Sequence, residues 1–129
     1  MQFLADTVTL VRHFSDSGHL GKGARKAMDG ADQKQNIIFI SMVSMFEILY
    51  LSEKNRIRTN LVEAIEIISR TSNYQIVDLN LEMIVEAQKV RGLELHDRLI
   101  VSTARVLGVP MLTSDKMITE SGLVEVVWN

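Results

Sequence analysis

The chain has 129 residues, of which 47% are hydrophobic and 23% charged, and its formal net charge is −2. That length and composition suit one globular core, and they exclude a disordered polymer and a global basic field for non-specific duplex binding. Cysteine is absent, which excludes disulfides and thiolate metal sites.

The opening "MQFLADTVTLV" has no basic segment followed by a long apolar run, so a signal peptide is not expected. Apolar stretches elsewhere are broken by charge before they reach bilayer length. The expectation is a soluble, cytoplasmic chain folded as one domain over 1–129, with no repeat and no low-complexity segment.

Short β-like runs alternate with longer helical patterns. "QFLA" (Gln2–Ala5) reads as a first strand, and "TLVRHF" starts a short helix. "SDSGHLGKG" (Ser15–Gly23) holds three of the seven glycines and reads as a loop, with a polar helix "ARKAMDGADQ" after it. "IIFI" (Ile37–Ile40) suits a strand buried on both faces. "SMVSMFEILYLSEKN" favours helix, with Ser41 as its N-cap. Thr59–Ser72 carries Leu61, Ile65 and Ile68 at helical spacing, with Glu63, Glu66 and Arg70 on other faces. "YQIVDL" (Tyr74–Leu79) is a third strand, followed by a helix capped by Asn80. "HDRLIVSTARVLG" is a largely apolar helix ended by Gly108. "PMLT" and "VEVVW" (Val124–Trp128) complete five strands. Strands separated by helices imply an α/β fold with a mainly parallel central sheet between helical layers. Ligands in such sheets sit beyond the carboxyl ends of the strands.

Single acids mark those ends, three of them at one edge of the sheet, and Asp97 joins them if its helix starts at that edge. Asp6 follows the first strand, Asp115 follows the fourth by two residues, Glu47 lies about two turns into the helix after the second, and Asp97 opens the helix before the fourth. Asp6, Asp97 and Asp115 each also suit an N-cap, and Glu47 a capping box with Ser44 in "SMFE". Yet Glu47 is the only charge between Ile37 and Ser52, and no lysine or arginine lies within one turn of it. A carboxylate between apolar faces must pair, bind a cation or stay protonated. Converging carboxylates repel one another unless a cation offsets them. An all-oxygen set suits magnesium or manganese rather than zinc, and such an ion supports phosphodiester hydrolysis.

With "FLADT", "ISMVSMFEI", "LHDRLIVSTARVLGVPMLTSD" and "VEVVW" in this order, the chain resembles the PIN-domain family, and within it the small VapC-type toxin ribonucleases. The resemblance implies a parallel sheet with the first strand central, and Mg2+- or Mn2+-dependent cleavage of RNA. It carries Asp6, Glu47, Asp97 and Asp115 into an acidic metal site, with Thr7, Ser44 and Thr113 as supporting hydrogen-bonding positions. It also implies a homodimer and a small antitoxin partner. Val8 departs from the pattern, since the family often has Asn, Ser or His after the first Asp-Thr. Val8 therefore supports an alternative, a PIN-like module that binds a cation or protein partner without cleaving RNA.

Arg12, His13, Lys22, Arg25, Lys26, Arg98 and Lys116 are candidates to line an RNA path, against a solvated surface for each. Arg98 and Lys116 stand out because each adjoins an acid. His96 reads as a capping or packing residue, and His13 and His19 give no ligand spacing. The methionines read as core, and Trp128 as packing for the last strand. A phosphoacceptor signalling domain has a similar size and class, but it wants an acidic pair after the first strand, and "ADT" offers one acid.

Overall fold

The computed structural model describes residues 1–129. In chain order it contains β1 (Gln2–Ala5), α1 (Thr7–Phe14), α2 (Lys22–Asp32), β2 (Ile37–Ser41), α3 (Met42–Glu53), α4 (Leu61–Ser69) and β3 (Tyr74–Val77). Then follow α5 (Leu81–Lys89), α6 (Leu95–Leu107), β4 (Met111–Leu112), α7 (Lys116–Ser121) and β5 (Val126–Val127). The five strands form one sheet in the order β3-β2-β1-β4-β5, and every pairing is parallel. The expected α/β architecture with a central first strand is what the chain adopts.

Alternation along β1 divides the interior. Phe3 and Ala5 face one layer with Leu10, Met28, Ile40 and Ile48. Leu4 faces the other with Ile100, Val101, Met111 and Ile118. Both faces of the sheet are therefore covered, as a parallel sheet requires. β2 repeats the pattern: Ile38 and Ile40 enter the first layer, and Phe39 packs on the second.

Local chemistry sets the element ends. Asn60 and Asn80 cap α4 and α5 through their side chains, accepting from Glu63 N and Met83 N. Ser41 caps α3, its side chain accepting from Val43 N. Gly108 ends α6 at φ 69°, a conformation that favours glycine. α2 has no side-chain cap; Trp128 O, from the far end of the chain, accepts from Ala24 N at 3.0 Å. That approach requires Gly21, where a Cβ would lie 2.2 Å from Trp128 O.

The elements and their burial differ from the sequence reading in three places. α7 was not expected, because "KMITES" buries only Ile118. α4 buries Ala64 and Ile68 but leaves Ile65 45% exposed, so the apolar pattern there extends beyond what the core covers. Glu47 was expected between two apolar faces, but one of them is open: Phe46 is 71% exposed and Tyr50 52%. No helix is long and apolar enough to cross a membrane.

Candidate metal and substrate site

The strand order reverses direction at β1: the chain leaves β1 for β2 and β3, then crosses back to β4 on the other side. Ligands of open α/β sheets bind at such a switch point. Asp6 stands directly after β1 and Asp115 shortly after β4, so both border this crevice. α3 brings Glu47 and the first turn of α6 brings Asp97.

Asp6 is held by three side-chain hydrogen bonds. Its Oδ1 accepts from Thr9 N at 2.9 Å and Thr9 Oγ1 at 2.7 Å, and its Oδ2 accepts from Thr113 Oγ1 at 2.6 Å. It is thus the N-cap of α1 as well as a group of the crevice. Burial pushes its carboxyl above the ordinary value, the bonds from Thr113 and Thr9 pull it back, and Asp115 adds repulsion. Asp115 likewise caps α7, accepting from Ile118 N at 3.0 Å, while its own N–H donates to Thr113 Oγ1 at 3.0 Å. Thr113 therefore links the two acids.

Glu47 is 28% exposed at its side chain. Its Oε1 accepts from Thr7 Oγ1 at 2.5 Å, and its Oε2 lies 3.4 Å from His96 Nδ1. Thr7 Oγ1 also lies 2.9 Å from Ser44 Oγ. A hydroxyl has one proton, and the carboxylate takes it more strongly, so Ser44 donates to Thr7. The buried pair Thr7 and Ser44 thereby orients Glu47. The alternative of a capping box with Ser44 is not formed, since Ser41 is the cap and Ser44 lies inside α3.

Asp97 is not a cap either. Glu94 caps α6, accepting from His96 N and Asp97 N. Asp97 is left facing the other acids: its carboxyl is pushed up to about 6, first by desolvation, then by Asp115, Glu94, Glu47 and Asp6. The other three sequence-derived acids thus all bear on Asp97, Asp115 also bears on Asp6, and Glu94 adds to the charge facing Asp97. The sequence signal for Glu94 was an acid three residues before Asp97 in "ELHD", and for Thr9 a hydroxyl three residues after the capping Asp6.

No three of the acids Asp6, Glu47, Asp97 and Asp115 have ligand atoms that all lie within 4.8 Å of one another. The one set of three histidine or carboxylate side chains that does so is His13, Asp29 and Asp32. The histidines give no ligand spacing with one another, but the packing of α2 on α1 sets His13 beside two acids. Asp32 is already engaged, lying 2.8 Å from His13 Nε2 and accepting from Tyr74 Oη at 2.5 Å. The cluster lies roughly 10 Å along α1 from Asp6, toward the opposite edge of the sheet.

Arg98 also departs from expectation. Its guanidinium donates to Val90 O at 2.7 Å and to Ala87 O at 2.8 Å, tying α6 to the C-terminus of α5 rather than reaching for a phosphate. Lys116 is exposed, with no ion pair. Val8 is 46% exposed at the start of α1.

A doubly covered parallel sheet with carboxylates gathered at its switch point defines an α/β protein with an acidic crevice. The PIN domain family model matches residues 3–121, and the chain belongs to that family. Its fold is shared by VapBC2 from Rickettsia felis bound to a DNA fragment from its promoter (TM-score 0.74, 16% identity, 100% of each chain). It is shared by DNA-bound VapBC from Salmonella typhimurium (TM-score 0.70, 14% identity, 98% of this chain and 96% of that one). A third such structure is Mycobacterium tuberculosis VapC20, a toxin that cleaves the sarcin-ricin loop (TM-score 0.68, 14% identity, 97% and 98%). No curated protein matches the chain by sequence.

Proposed function

We propose that this chain is a Mg2+- or Mn2+-dependent endoribonuclease of the VapC type, the toxin of a toxin–antitoxin pair, with its chemistry at Asp6, Glu47, Asp97 and Asp115. The observation that carries the reading is Asp97, pushed up to about 6 by desolvation and by four neighbouring acids. Such a group is satisfied by a cation with several oxygen ligands. The donors are carboxylates that do not close tightly on one another, which suits a hard ion that keeps part of its water. Asp6, Asp97 and Asp115 would hold it, with Glu47 as a further ligand or as the group that orients water.

A divalent cation, when bound, supplies Lewis acidity toward a phosphodiester and toward the attacking water. The residues of the chain do the rest. Thr9 and Thr113 fix the orientation of Asp6, and Thr7 that of Glu47. Their role is preorganisation: carboxylates already held need not reorganise as charge develops on the phosphate.

Partners follow from the surface. Phe46, Tyr50, Leu81 and Leu95 are between 52% and 75% exposed. Phe46, Tyr50 and Leu95 border a groove of about 490 Å3 that Glu47 and His96 also line. Exposed apolar groups in such number mark protein contacts. They support a homodimer and a small antitoxin as partners, as do relatives of the same fold crystallised as VapBC complexes.

The test is cleavage of defined RNAs with Mg2+ or Mn2+ by the wild type, Asp6→Asn and Asp97→Asn. The expected result is cleavage by the wild type alone, with all three proteins folded. Equal cleavage by all three rejects the site. A second reading, a PIN module that binds cation or partner without hydrolysis, rests on Val8, exposed beside the site with no hydrogen-bonding side chain. Ion binding by the wild type without cleavage of any RNA selects it.

A further inference from the structure

A second cavity, of about 540 Å3, lies beside the acidic crevice, between the carboxyl ends of β4 and β5. Thr113, Ser114, Lys116, Thr119 and Trp128 line it. Thr113 belongs to both sites, since its hydroxyl donates to Asp6 at 2.6 Å. The cavity therefore begins one side chain away from the acids.

Three groups give it chemistry. Trp128 is the single tryptophan of the chain. Its main chain is bound to Ala24, its ring touches the Gly21 position, and His19 stands edge-on with ring centroids 6.4 Å apart. The indole is thus fixed from the α2 side while it borders the cavity. A platform already immobilised loses little entropy when something stacks on it. Lys116 is exposed, and no acid neutralises it. Ser114 is exposed with a free hydroxyl, whereas that of Thr119 is spent on Asp115 O at 2.9 Å. Glu120 lines the same cavity and disfavours a ligand that is phosphate all round.

We infer that this cavity is a nucleotide subsite for single-stranded RNA, in which a base stacks on Trp128 while Lys116 holds the adjoining phosphate beside the acidic crevice. The inference rests on the ribonuclease reading and extends it to the substrate strand. An aromatic face, one cation and a hydroxyl are what recognition of an unstacked nucleotide uses. A duplex cannot offer that base without unpairing it. The volume falls within the roughly 300–1,000 Å3 of small-ligand sites.

The single tryptophan makes the test direct. Asp97→Asn is titrated in Mg2+ with a single-stranded RNA hexamer and with the same hexamer in a duplex, following Trp128 emission and checking RNA integrity on a gel. Saturable quenching by the single strand, weaker by the duplex, is expected. Lys116→Ala should bind more weakly and flatten the dependence of log K on log salt by about 0.7. In an anisotropy assay, Trp128→Phe should retain most binding and Trp128→Leu lose roughly 5- to 150-fold. The titration without any change at Trp128 stands if the Trp128→Leu protein fails to fold. Unmoved emission at saturating RNA overturns the subsite, even if the wild type cleaves RNA. Quenching by a wild type that cleaves nothing with Mg2+ or Mn2+ supports the subsite and rejects the ribonuclease reading.

Discussion

Asp97→Asn should stabilise the cation-free protein while removing its activity. Raising a carboxyl from 3.8 to about 6 sets ~3 kcal/mol against the ionised folded state. Asp97 is half-buried, so solvent screening reduces this to about 1.5 kcal/mol, and the attraction of the α6 N-terminus for negative charge brings it to about 1. Because folding raises this group, the penalty is full above about pH 7, shrinks as the pH falls through 6, and vanishes below the unfolded value of 3.8. Asparagine does not ionise and escapes it. In EDTA at pH 7.5 the variant should melt roughly 3–5 °C above the wild type, and the two should converge near pH 4. Added Mg2+ should raise the wild-type melting temperature and leave the variant nearly unmoved. Calorimetric scans from pH 4 to 8, with and without the ion, read all of this. A gap that is absent at pH 7.5, or constant across the range, would show that the acids do not strain one another.

Arg98→Ala should cost about 1–3 kcal/mol in urea unfolding by uncapping α5, and leave the rate per folded molecule unchanged; a large loss of activity in fully folded protein would restore it to the RNA path. Gly21→Ala, with a Cβ 2.2 Å from Trp128 O, should cost about 1–3 kcal/mol and shift tryptophan emission to the red, an unchanged spectrum counting against the close approach. Thr113→Val removes the hydroxyl that joins Asp6 to Asp115 and should lower RNA cleavage at least tenfold with the fold intact by circular dichroism. Wild-type rates in that variant would place Thr113 outside the site.

The parts of the fold that local chemistry decides were readable along the chain. Ser41 and Asn80 open their helices through side-chain oxygens, and Gly108 closes one because it lacks a side chain. The alternation of strand and helix led to a parallel sheet, and the rule for carboxyl ends led to the acids. What escaped depends on distant partners. Arg98 looks available beside Asp97 until α5 presents Val90 O and Ala87 O to it. His13 has no ligand spacing with the other histidines, and only the packing of α2 against α1 sets it beside Asp29 and Asp32. The apolar run of α3 says that its residues avoid water, but not which face has a partner, so Phe46 in solvent could not be foreseen. α7 has too few residues for a periodicity to show.

Because β1 sits at the centre, its register is completed from both directions: Leu4 stands opposite Phe39 on one side and Met111 on the other. Asp6 gains its Thr113 bond and its Asp115 neighbour only after more than a hundred further residues have been synthesised. During translation the acidic edge is therefore held apart by topology. Contacts of such sequence separation form slowly and late. The acidic edge is therefore complete only once the segment bearing Thr113 and Asp115 has joined the sheet beside β1.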